Sequence, residues 1–276
     1  MLESFKIKKY KIPKLMKYLA LLIVGGVIFL SHYSFSKHAI YGDGIDYWIY
    51  LTSVYFDHDI DFTNQYKHYF EPINNNLTIP NSAIVVMKTS ITDIGKTDNP
   101  HPPGTAIVWV PAFLFADILS LVFKFPRSGY TDIYQISTGL WSVFLVILAL
   151  FINEKIIFKF TKDNKISYLS VFAIFLATPL LYYGSYDILN SHFASFLVAS
   201  LFWYVLFYKP TNTKDAFILG VLIGFAALIR LQDVIFLKRI FRNKYESISH
   251  PSTLMFKDFS SSSATTPVPH PMSSTF

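Results

Sequence analysis

Long apolar runs separated by short lysine-bearing loops constrain this chain more than any other feature. Tyr18–Phe35, Gly104–Phe123, Ile133–Ile152, Ile166–Tyr183, Phe193–Tyr208 and Ala216–Phe236 each approach the length an α-helix needs to cross a bilayer, about 20 residues at ~1.5 Å apiece. In lipid the backbone must satisfy its own hydrogen bonds, so such runs fold as helices. Composition agrees. The chain is 52% hydrophobic and only 15% charged, with a mean hydropathy of +0.38, whereas a soluble domain carries roughly 25% charged residues. The expected fold class is an all-α polytopic membrane protein. A formal charge of +6 does not point to nucleic acid, because the lysines lie between the runs and form no single basic patch. The absence of cysteine removes disulfide and thiolate chemistry.

The lysines also orient the helices. Residues 1–17 carry Lys6, Lys8, Lys9, Lys11, Lys14 and Lys17 against the single acid Glu3. This is the layout of a signal peptide, but Ser36-Lys37-His38 offers no small-residue cleavage site, so the first run reads as an uncleaved helix with a cytoplasmic N-terminus. If Gly104–Phe123 crosses, eight basic residues lie inside; if it does not, twelve do, because the loops with Lys155, Lys159, Lys162 and Lys165 and with Lys209 and Lys214 become cytoplasmic. Positive-inside bias therefore predicts about five crossings, with 104–123 an interfacial helix and 36–132 a long external first loop. Pro111 and Asp117 within 104–123 agree. Residues 18–236 form the membrane domain on this reading. Residues 237–276 are a low-complexity tail, rich in serine and threonine, expected to be disordered. The placement implies a membrane protein with its N-terminus in the cytoplasm and its polar loop outside.

Polar chemistry is concentrated in the external loop, which holds eight acids against four lysines. Asp43 and Asp46 are spaced to share a helical face, and Gly42 and Gly44 would let a bulky ligand approach the backbone. A carboxylate at a water-accessible, partly shielded membrane edge suits a general base acting on a hydroxyl; the plainer reading of Gly-Asp-Gly is a turn. Asp57, Asp59 and Asp61 alternate as ligands of a hard divalent cation do, yet Phe62 stands where a calcium loop needs glycine, and a solvated acidic turn fits as well. Asn74–Asn76 and nearby prolines mark loops, and Ala83–Met87 suits a short strand. In Asn99-Pro100-His101-Pro102-Pro103-Gly104 the prolines keep His101 outside the helix that follows, and this histidine is suited to donate to a phosphate oxygen. Asp187 is the only acid of the loop 184–191. Arg230 interrupts the last apolar run near its outer end, either to meet a phosphate or carboxylate or to snorkel to the interface. Gly25-Gly26 and Gly220–Gly224 read as helix-packing surfaces.

These features together resemble the GT-C superfamily of membrane glycosyltransferases, in the bacterial branch of protein O-mannosyltransferases and aminoarabinose transferases. The resemblance rests on Gly42-Asp43-Gly44 with Tyr47 and Tyr50-Leu51, Asp57–Asn64, His101-Pro102-Pro103-Gly104 leading to Trp109, and Gly220–Arg230 followed by Leu231-Gln232-Asp233. It covers residues 15–236. It implies transfer of a sugar from a polyprenyl-phosphate donor to a glycan, lipid or protein acceptor on the outer face of a bacterial inner (plasma) membrane. Asp43 would be the base, with Asp46 standing in for the family's second carboxylate. Tyr47, His101, Asp187 and Arg230 would bind substrate, His101 and Arg230 beside the donor phosphate. Such families carry more helices than five, so the sequence also predicts a C-terminally truncated copy. The competing reading is a non-catalytic membrane protein, either a glycosyltransferase remnant or a polysaccharide-export subunit.

Overall fold

A computed structural model describes residues 14–70, 91–209 and 212–235. The basic N-terminal residues before Lys14, the Asn74–Asn76 loop, the expected strand Ala83–Met87 and the tail from 237 lie outside them. The described residues form helices α1 (Lys14–Ser36), α2 (Asp43–Thr52), α3 (Thr63–Phe70), α4 (Gly104–Phe123), α5 (Asp132–Thr161), α6 (Asn164–Ala177), α7 (His192–Tyr208) and α8 (Thr213–Ile229). A single β-bridge, Ile91 to Thr97, occurs outside them, and there is no sheet among the described residues. By length and composition α1, α4 and α5 can each cross a membrane, while α6 and α7 are shorter apolar helices. The described residues are thus all-α, with the character of an integral membrane protein.

Local chemistry sets the helix boundaries. Pro103 directly precedes α4, in keeping with the poor fit of Pro-Pro to a helix interior. Asp163 caps α6, accepting from the backbone N–H groups of Lys165 and Ile166 at 2.6 and 3.2 Å, and Asn212 caps α8 through Asp215 N at 2.9 Å. The run Ile166–Tyr183 does not continue as one helix. Thr178 is extended (φ −125°, ψ 168°) because Pro179 disfavours a helical residue before it, and a π-turn at Tyr182–Tyr186 follows. In the other direction α5 outruns its apolar stretch to Thr161, since Glu154 is buried against Tyr18, whose hydroxyl donates to it at 2.5 Å.

Helix α5 is the spine. Helix α1 lies antiparallel to it: Tyr18 meets Glu154 at one end, and Tyr33 donates to Asp132 at 2.8 Å at the other. Small residues let the two approach, for a Cβ on Gly139 would stand 2.1 Å from the Phe29 ring and one on Gly25 would stand 2.9 Å from Val143. Gly220 and Gly224, expected to pack likewise, meet nothing within 4 Å. Helix α7 runs parallel to the middle and C-terminal part of α5, where Asn153 donates to Ser200 at 2.7 Å and Tyr208 to the Lys155 carbonyl at 2.5 Å.

Helix α4 instead lies antiparallel to the N-terminal part of α5. Trp109 donates to Ser142 at 2.9 Å, Trp141 to the Val108 carbonyl at 3.1 Å, and Tyr134 to Asp117 at 2.5 Å. The first turns of α4 and α7 meet where Trp109 stacks on Phe193 at 5.9 Å, and Gly104 abuts the Leu228 carbonyl at the end of α8. From there α4 continues along α5 toward Asp132, away from the stretch that α7 covers.

Candidate functional site

The start of α7, the end of α8, the start of α4 and the whole of α2 converge on one mouth. Helix α2 is amphipathic over its short length. It buries Ile45, Trp48, Ile49 and Leu51, and Trp48, with no exposed surface, packs against Trp109 at 5.8 Å and Phe113 at 5.6 Å. Removing a buried ring of this size typically costs about 3–5 kcal/mol, so α2 is anchored through Trp48 and its polar face is fixed. Gly42 enters the helix at φ 56°, a left-handed conformation that glycine adopts without penalty. Gly44 answers a different demand from the one its sequence context suggests: a Cβ there would lie 2.3 Å from the Leu189 carbonyl, so the backbone that comes close is the protein's own 187–191 loop.

Asp43 and Asp46 open α2 and face His101, but in different states. Asp46 has a side chain only 17% exposed. It accepts from Tyr66 at 2.6 Å and lies 2.9 Å from His101 Nδ1, close enough for an ion pair though off the line of a straight hydrogen bond. Its backbone carbonyl accepts from Asn99 at 2.7 Å, while Asn99 Oδ1 accepts from the His101 N–H at 3.0 Å and the His101 carbonyl accepts from Tyr50 at 2.8 Å. Asp43 is 77% exposed, its carboxylate 3.7 Å from His101 Nε2. Asp46 and then Asp43 hold the His101 pKa above its ordinary value, against the opposing effect of burial. Burial, reinforced by Asp46, keeps the Tyr66 hydroxyl protonated and therefore a donor.

Tyr47 bridges to the second half of the mouth. Its ring meets His101 edge-on at 4.9 Å and its hydroxyl donates to Ser191 Oγ at 3.1 Å. One residue further, His192 opens α7, stacked on Tyr183 at 4.0 Å, and its Nδ1 lies 2.8 Å from Arg230 Nη1. The positive charge of Arg230 acts on Tyr47 and His101, and the negative charge of Asp43 acts on His192. Asp187, half-buried, sits beside Tyr41, whose hydroxyl hydrogen-bonds it; burial first, and the Asp43 charge in part, raise its pKa. The structure therefore brings together Asp43, Asp46, Tyr47, His101, Asp187 and Arg230. Residues that the sequence did not single out, Tyr66, Asn99, Ser191 and His192, complete the arrangement. Only His192, as the polar start of an apolar run, carried any visible signal.

The three candidate metal ligands are not brought together. Asp57 accepts from Asn64 at 2.9 Å and from Gln65. Asp59 accepts from Ser53 at 2.8 Å and from the Asp61 N–H at 3.1 Å, and Asp61 takes the hydroxyl and N–H of Thr63. Each carboxylate closes a turn of its own. Among the described residues no group of three His, Cys, Asp or Glu side chains is arranged to hold a metal ion.

Chemically, the mouth pairs an accessible carboxylate, Asp43, with a guanidinium and an imidazole on the facing side. Such a site can take a proton from a bound hydroxyl and stabilise an anion opposite it. No family model, curated protein or solved structure matches this chain.

Proposed function

We propose that the chain is a membrane glycosyltransferase that moves a sugar from a polyprenyl-phosphate donor to an acceptor hydroxyl at the outer face of the membrane. The observation that carries this reading is the division of the mouth into an acidic side with one water-exposed carboxylate, Asp43, and a cationic side that meets no carboxylate within 4.0 Å among the described residues, joined by the Tyr47–Ser191 contact. Asp43 accepts the acceptor's proton. Asp46 is a positioning residue that holds His101. His101 and Arg230 offset the charge that gathers on the departing phosphate. The likeness of Gly42-Asp43-Gly44, His101-Pro102-Pro103-Gly104 and Gly220–Arg230 to GT-C enzymes supports the same chemistry.

The membrane arrangement proposed with it has α1, α5, α6, α7 and α8 crossing and α4 held at the outer side, alongside the N-terminal part of α5, without crossing. Twelve basic residues then fall on the cytoplasmic side. Length and composition alone would let α4 cross, but along α5 its hydrogen bonds lie in the N-terminal part, between Tyr134 and Ser142. Its other partners include α2, the turn after α2, the start of α7 and the end of α8. Helix α6, with 14 residues, reaches only about 21 Å, so the segment through the π-turn at Tyr182–Tyr186 completes its crossing of the ~30 Å core.

The test is transfer of labelled sugar from a polyprenyl-phosphate donor by membranes carrying the full chain. Transfer by the native chain, lost on Asp43→Asn, is expected. No transfer by a folded native chain with any of a panel of such donors would favour the non-catalytic alternative.

A further inference from the structure

The contact between Arg230 and His192 has a consequence for which atom faces the ligand. Arg230 leaves α8 in extended backbone (φ −151°, ψ 121°), which turns it out of the helix at the mouth. Its Nη1 lies 2.8 Å from His192 Nδ1. A guanidinium has donors only, so Nδ1 must be the acceptor, and the imidazole proton must be on Nε2. The amide of Gln232, turned so that its oxygen faces the guanidinium, accepts from Nη2 at 2.5 Å and Nε at 3.0 Å. Both acceptors are neutral. Among the described residues no carboxylate lies within 4.0 Å of Arg230, and none of their groups accepts from His192 Nε2. Among the described residues the pair thus presents a positive charge met at hydrogen-bond distance only by neutral acceptors, together with one oriented N–H donor, while the charges of Asp43 and Asp233 act on His192 from further off. Tyr183, stacked on the imidazole, holds the ring plane.

We propose that His192 is a ligand-contacting residue whose neutral Nε2–H donates to a non-bridging phosphate oxygen, while Arg230 supplies the charge and fixes the tautomer. This rests on the transferase reading above and deepens it, for it assigns the anion's second contact. In the transfer step the acceptor oxygen bonds to the sugar's anomeric carbon as the bond from that carbon to the phosphate oxygen breaks. The bonding pair leaves with the phosphate, and the acceptor proton passes to Asp43. The phosphate changes from a diester with one negative charge to a monoester that can carry two. A donor fixed on its non-bridging oxygen, together with a neighbouring cation, binds the product anion more strongly than the donor ester, which is the condition for lowering the barrier. His192 keeps its proton throughout.

Two isosteric substitutions separate this role from mere support of Arg230. His192→Asn keeps an acceptor near the Nδ1 position but has no donor where Nε2 stood. His192→Gln keeps a donor near Nε2 and gives up the Nδ1 acceptor. Binding of farnesyl phosphate, with farnesol as the uncharged control, is followed by tryptophan fluorescence on the detergent-solubilised full chain. The native chain should bind the phosphate in preference to the alcohol. His192→Asn should lose about tenfold in phosphate affinity, as expected for one hydrogen bond to a charged oxygen, and His192→Gln should stay within about threefold of native. The opposite order, native affinity in both variants, or equal binding of farnesyl phosphate and farnesol by the native chain overturns the proposal. If either variant fails to fold, the native phosphate-to-alcohol preference and the surviving variant decide. Phosphate binding in the expected order without any sugar transfer would retain the anion site and remove the transferase reading. Sugar transfer undiminished in His192→Asn would do the reverse.

Discussion

Arg127 and Arg230 both follow the end of a helix, but their surroundings differ. Arg127 gives Nε and Nη2 to Asp117 at 3.0 and 2.7 Å, and the same carboxylate accepts from Tyr55 at 2.8 Å and Tyr134 at 2.5 Å. Asp117 is buried and matched by Arg127, so this cluster ties α4, α5 and the turn after α2 together, and its charge is spent within the protein although the guanidinium is 45% exposed. Among the described residues the acceptors that Arg230 meets are both neutral, His192 and Gln232. Asp46 and Asp43 repeat the contrast in negative charge: one is surrounded by Tyr66 and His101, the other is open to water. A charge matched at close range by an opposite charge of its own protein supports architecture, whereas a charge that is water-exposed, or met only by neutral groups at a mouth, is available to a ligand.

The contrast can be broken by exchanging the arginines' fates. Arg230→Gln is expected to cut sugar transfer by about 100- to 1,000-fold, the usual loss when one stabilising donor at a developing anion is removed, with an unchanged melting temperature. Arg127→Gln is expected to lower the melting temperature while the folded fraction keeps its turnover. Turnover and melting temperature measured on both variants check this; loss of turnover in folded Arg127→Gln, or its retention in Arg230→Gln, would reverse the assignment. A smaller effect is expected at the acid of the closed cluster. Asp117→Ala leaves two tyrosines and an arginine without their acceptor, and should lower the melting temperature by on the order of 5 °C, read by thermal unfolding in detergent.

Subtler still is the pH dependence of stability. The carboxylates of Asp46 and Asp43 raise the His101 pKa above 6.5 in the folded chain. The resulting stabilisation is complete below about pH 6.5 and is lost as pH rises through the folded value. The melting temperature should therefore fall as pH rises above 6.5, and His101→Gln should flatten that part of the profile. A native profile that climbs over the same interval would contradict the ion pair.

Much of this was legible in the residues themselves. Pro102-Pro103-Gly104 marked the start of α4 at the correct residue, and the apolar spacing of Ile45, Trp48 and Ile49 is that of the helix which carries Asp43 and Asp46 on its other face. Other features depended on partners far along the chain. Glu154 lies just past the apolar run Ile133–Ile152, and nothing near it in sequence shows that Tyr18, on α1, covers it. The alternating Asp57, Asp59 and Asp61 suit a metal loop until Ser53, Thr63, Asn64 and Gln65 are seen to take them one by one. The Arg230–His192 contact joins two helix ends that only the bundle brings together, so neither residue announces its partner. Thr178-Pro179 did signal the end of α6, but the apolar residues on both sides masked it.

The most direct test of the account sets Asp43→Asn beside Asp46→Asn in single-turnover transfer from a polyprenyl-phosphate sugar, with farnesyl phosphate affinity measured on the same samples. Asp43→Asn should slow the chemical step by about 100-fold or more, as expected for loss of a general base, with phosphate affinity unchanged. Asp46→Asn should slow it by about tenfold or less, since it reaches the reaction only through His101. Native turnover in Asp43→Asn, or a greater loss in Asp46→Asn, would contradict the assignment of the open carboxylate as the base.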